Sequence, residues 1–89
     1  MTTFIKDPKA VLDYSVDWSK WLAGDQVATS DWSVSDPALE AAGDSNGPTR
    51  TTVWLSGGTA GQSYTVTNQI TTSGGRTDER SFTIQVQDR

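Results

Sequence analysis

The side chains able to do chemistry in this 89-residue sequence are eleven carboxylates, seven lysines and arginines, and many serine and threonine hydroxyls; histidine and cysteine are absent. That removes the commonest general base and the commonest zinc ligand. It also removes thiolate nucleophiles and sulfur-rich metal sites. The nearest approach to a carboxylate pair is Asp13 with Asp17, two alternations apart on one wet strand face. Paired-carboxylate glycosidases hold their acids about 5–10 Å apart in a cleft, which a chain this short seldom forms. Solvated charges that oppose edge pairing are the plainer reading. Asp44-Ser45-Asn46-Gly47 starts like a calcium loop but lacks the later glutamate, so a turn is expected there. Gly57-Gly58-Thr59-Ala60-Gly61 has no lysine and no following helix, so it is no phosphate cradle. The expectation is a protein that is not an enzyme, with no catalytic, metal-ligating or cofactor-binding residue and no cofactor.

Contact chemistry is better supplied. Of the four tryptophans, Trp18 and Trp32 are in phase with apolar neighbours and read as core. Trp54 is out of phase with Val53 and Leu55, and Trp21 falls in a connection. An outward tryptophan on a small polar domain suits a protein contact or stacking on a sugar ring. The alternative for Trp54 is a cover over its own sheet, packed on a neighbouring long side chain. Arg76-Thr77-Asp78-Glu79-Arg80 follows a glycine turn and serves either to solvate it or as a polar interface rim. The candidate protein-contact residues are therefore Trp21, Trp54, Arg76, Asp78 and Arg80.

Strands must position these groups. Leu12, Tyr14, Val16 and Trp18 alternate with Asp13, Ser15 and Asp17, the period of a strand with one buried face. The same period recurs with Ala28, Ser30, Trp32 and Val34, with Val53 and Leu55, with Tyr64, Val66, Asn68 and Ile70, and with Phe82, Ile84 and Val86. Residues 2–6 suit a short edge strand ended by Asp7-Pro8. Residues 19–22 suit one helical turn, and residues 39–42 a short strand or a loop. Glycine turns are expected at Gly24-Asp25, Gly57-Gly58, Gly61 and Ser73-Gly74-Gly75, and the strongest turn signal is Asp44-Ser45-Asn46-Gly47-Pro48. This pattern predicts one all-β domain over residues 1–89, an immunoglobulin-like β-sandwich of about six to seven antiparallel strands. Tyr64, just after the corner at Gly61, matches the position of a tyrosine whose hydroxyl bonds back to that corner.

Composition narrows the partners. Only 34% of the residues are hydrophobic and the net charge is −4. The basic residues are scattered, against the clustered basic face of a nucleic-acid binder. No apolar stretch is long enough to span a membrane, and residues 1–9 lack the features of a secretory signal. A chain without cysteine suits a reducing cytosol. No nucleic-acid or membrane partner is expected.

Several strings are more specific than this patterning: Lys6-Asp7-Pro8, Leu12-Asp13-Tyr14, Asp17-Trp18-Ser19, Trp21-Leu22, the run from Thr52 to Gly61, Tyr64-Thr65-Val66-Thr67-Asn68, and the run from Ile70 to Ser81. Together they resemble the fiber-tail adaptor proteins of tailed bacteriophages and prophages over nearly the whole chain, with residues 36–48 contributing least. The resemblance implies a structural virion component that links or decorates the tail and fiber region through protein contacts. It implies synthesis in the bacterial host cytoplasm, location in the virion, and multiple copies in a symmetric assembly beside other virion proteins. A carbohydrate- or cell-surface-binding module, with Trp21 or Trp54 stacking on a sugar, is the alternative from another class.

Overall fold

Every second side chain from Tyr64 to Thr72 is buried, as the period-two pattern of the sequence requires. The structure, a computed structural model, describes residues 2–88. Seven strands and one helical turn run in the order β1 (Thr3–Lys6), β2 (Leu12–Asp17), α1 (Ser19–Leu22), β3 (Val27–Val34), β4 (Leu39–Asn46), β5 (Arg50–Gly57), β6 (Ser63–Thr72) and β7 (Thr77–Val86). They form two sheets, β1-β7-β6-β3 and β2-β5-β4. The fold is an all-β sandwich. One core cluster joins Leu39, Val53 and Leu55 to Tyr64, Val66, Phe82, Ile84 and Val86 across the sheets, and a second gathers Trp18, Leu22, Val27 and Ile70.

Four local expectations change. The strand order includes one parallel pair, β1 with β7; no hairpin dictates their direction, because they lie at opposite ends of the chain. Trp18 is not in a strand. β2 stops at Asp17 and Trp18 caps α1 with φ −97° and ψ 0°, a bend that swings the indole into the core at 0% exposure. Ala28 is exposed, because a bulge between Val27 and Thr29 shifts the phase and buries Val27 instead; one extra residue moves a side chain to the other face. The turn expected over residues 44–48 is shorter. β4 continues through Asn46, and the chain reverses over residues 47–49, closed by Gly47 N donating to the Arg50 carbonyl at 2.8 Å.

Polar groups inside the sandwich are matched closely. Asn68, fully buried, accepts from Trp18 Nε1 at 3.1 Å and Thr51 Oγ1 at 2.6 Å, and donates to Ser30 Oγ at 2.9 Å and the Asp31 carbonyl at 3.2 Å. Lys6, also fully buried, donates from Nζ to the carbonyls of Gly57 and Asp7 at 2.7 and 2.9 Å. Burial pulls its ammonium below the ordinary lysine value, and the Asp7 charge opposes this. Gly57 has φ 76°, and a Cβ there would stand 2.9 Å from the Ala38 carbonyl oxygen, so only glycine fits.

The tyrosine corner forms. Thr59 N donates to Tyr64 Oη at 2.9 Å, across the loop that leads into β6. Removing the hydroxyl orphans that amide at the corner. Tyr64→Phe should therefore lower unfolding free energy by about 1–2 kcal/mol, measured by urea denaturation with an unchanged m-value.

Candidate functional site

Trp21, Arg76 and Arg80 are brought together at one corner. The chain bend at Trp18 stacks α1 against the β6–β7 hairpin, so Trp18 and Trp21 meet edge to face with ring centroids 5.5 Å apart. The Arg76 guanidinium lies 4.5 Å from the Trp21 ring and that of Arg80 lies 4.3 Å from the Trp18 ring. Both are within cation–π range. Arg76 also donates to the Leu22 carbonyl at 2.7 Å, satisfying the end of α1, and Arg80 donates to the Asp17 carbonyl at 3.0 Å. These two arginines thus hold the corner together with one face of each guanidinium, while Arg76 stays half exposed.

Asp25, read from sequence as a turn residue, anchors that corner. Its carboxylate accepts from the Gln26 and Gly74 amides at 2.8 and 3.1 Å and faces Arg76 at 3.4 Å. A hydrogen bond from Thr72, then these amides and Arg76, hold the carboxyl below the usual carboxylate range. Asp17 is shifted the same way, chiefly by Ser19, with Arg50 and Arg80 adding to it. The Gly24-Asp25 pair was a visible signal for a turn, but its long-range partners at Thr72, Gly74 and Arg76 carry no sequence signature.

Asp78 stands apart from this group. It is half-buried opposite Ile70, and its Oδ1 accepts from the Glu79 amide at 2.8 Å.

Trp54 lies on the outward face of the other sheet, opposite Asp13 on β2 and Ala42 on β4, and is 46% exposed. It lies beside a glycine. Gly43 sits in a bulge of β4 with φ 60°, and a Cβ there would come within 3.2 Å of Trp54 Cδ1. The indole therefore lies close to the β4 backbone at Gly43. Along β2, Asp13 faces Trp54 and Asp17, whose carbonyl accepts from Arg80, faces Arg50, so Trp54 lies about 13 Å along the strand from the end that adjoins the tryptophan–arginine corner. The candidates form two surfaces, not one.

Residues 6–85 match the family described as podophage GP4 fiber-tail adaptor protein gp77. The chain belongs to this family. The match runs from the last residue of β1 nearly to the end of β7, so it includes all five candidate residues. Fiber-tail adaptors are structural phage proteins, and membership implies a place in the virion and contact with other tail and fiber proteins. A comparison with curated proteins gives no match. Among the described residues of this fiber-tail adaptor, no helix is long and apolar enough to cross a membrane.

The lowered carboxyl groups make the corner acid-sensitive. In the folded state Asp25 and Asp17 bind protons less readily than in the unfolded chain, so their stabilisation is full above about pH 4 and is lost as pH falls through their folded values. Unfolding midpoints measured from pH 7 to pH 2 should fall below about pH 4, and Asp25→Asn should flatten part of that fall.

Proposed function

We propose that this chain works as a structural part of the tail–fiber region of a phage particle, linking or decorating it through protein–protein contacts, and does no catalysis. The observation that carries the reading is Trp54, a large aromatic 46% exposed on the outward face of its sheet beside the bulged Gly43. Tryptophans in such positions dominate the energetics of interfaces they enter. The second contact surface is the corner of Trp21, Arg76 and Arg80, with Asp78 between the two arginines on the same hairpin; its arginines are already fixed in place, so they meet a partner with little entropy left to lose. Partners are other tail and fiber proteins, and several copies would act in a symmetric assembly after synthesis in the host cytoplasm.

The strand order supports an immunoglobulin-like description of a single domain over residues 1–89. β2-β5-β4 opposes β7-β6-β3 as strands B-E-D oppose G-F-C in that fold, with the tyrosine at the corner before the penultimate strand. Here the first strand joins the opposite sheet from that of a constant-type domain.

The test pairs particle composition with a variant. The chain should be present in purified virions, and Trp54→Ser should reduce its incorporation at least about tenfold while changing unfolding free energy by less than about 0.5 kcal/mol. Absence from virions sinks the reading. A glycan array that binds the wild type but not Trp54→Ala would move the protein to the carbohydrate-binding class.

A further inference from the structure

The net charge of −4 has one address. Residues 27–49 contain Asp31, Asp36, Glu40 and Asp44 and no lysine or arginine; the other seven acids and seven bases cancel. This window builds β3, β4 and their connection, and those two strands are the facing edges of the two sheets. The two strands pack close together along this edge. A cleft of about 200 Å³ is lined by Ser30, Asp31, Trp32, Ala41, Asp44 and Val53.

The lining is unlike a sandwich interior. Ala41 lies opposite Leu55, on the side that is core one strand away, yet it is exposed. The bulge between Ala42 and Ser45 brings Asp44 beside Val53 at the cleft. Of β4, only Leu39 is buried. Among the described residues, neither Asp31 nor Asp44 has an ion-pair partner. Trp32 Nε1 is a buried donor without an acceptor. Asn68, opposite Trp32 on β6, cannot serve it, because both lone pairs of its amide oxygen are taken by Trp18 and Thr51.

We infer that the β3–β4 cleft receives an extended segment of a partner protein that carries a lysine or arginine, seated between Asp44 and the Trp32 ring. The charge is complementary. The volume suits one long side chain and falls short of the roughly 300 Å³ where small-molecule pockets begin. Glu40 and Asp36, in the same base-free window, add to the field that draws a basic partner. The inference rests on the protein-contact reading above and specifies one surface for it.

A randomised heptapeptide display library, selected on the whole chain and counter-selected on an Asp31→Asn/Asp44→Asn double variant, tests it. Both substitutions are on exposed residues, and equal unfolding midpoints would establish that the variant is folded. Enriched peptides should share a central lysine or arginine and bind the double variant at least about tenfold more weakly. They should weaken with added salt and shift the Trp32 indole resonance by NMR. Failure to enrich peptides over the double variant, enrichment of neutral or acidic ones, or shifts at Trp54 with Trp32 unmoved would overturn it. So would a matching Trp32 shift produced by oligosaccharides. Any of these results, with the chain still found in virions, would remove the cleft and leave the structural role intact.

Discussion

A single buried amide joins both sheets of this molecule. Asn68 on β6 uses all four of its hydrogen-bonding positions, toward Trp18, Thr51, Ser30 and the Asp31 carbonyl. Thr51 belongs to the second sheet, and Trp18 to the bend that carries the chain out of it. An apolar residue at this position would add burial but would leave the Trp18 and Thr51 donors without partners in a low-dielectric interior. The amide therefore constrains more than packing. It sets which way β2 ends, where α1 begins, and how the sheets lie over one another at that end.

The outer surfaces follow from that constraint. With Trp18 fixed, Trp21 and Leu22 must turn back, and the rings of Trp18 and Trp21 become platforms for Arg80 and Arg76. Asp25 then binds the α1–β3 connection to the β6–β7 hairpin. At the opposite end Lys6 plays a matching part, clipping the end of β1 to the end of β5. Away from these ties the described surface exposes Phe4, Ile5, Val11, Leu12 and Trp54; Trp54 beside Gly43 and the β3–β4 cleft are its candidate partner surfaces. A domain of this size has little core to lose, and its polar ties lie where loss of register would deform those surfaces.

Strand existence was legible because it rests on local alternation: Tyr64 to Ile70 and Phe82 to Val86 bury the side chains their spacing requires. The exposure of Trp54 was legible for the same reason, as an out-of-phase residue between Val53 and Leu55. What was not legible depends on contacts distant in sequence. The bulges at Ala28 and Gly43 shift phase by one residue, and only pairing with β6 and β5 reveals them. β4 lacks an apolar rhythm because it is an edge strand with little to cover it, so residues 39–42 read equally as a short strand or a loop and residues 44–48 as a turn. Arg76 and Arg80 read as charges that solvate a turn or rim an interface, since their tryptophan partners lie more than fifty residues away. The family could be read from the specific strings of residues, but the fold alone would not have named it.

The most direct test of the central constraint is equilibrium unfolding of Asn68→Ala, with hydrogen exchange at the Trp18 indole as a second readout. Loss of four hydrogen bonds and the filled volume should cost at least about 2 kcal/mol, and the Trp18 indole proton should exchange much faster than in the wild type. A loss below about 0.5 kcal/mol with that proton still protected would contradict the account, because that end of the sandwich would then be held by its apolar packing and not by the buried amide.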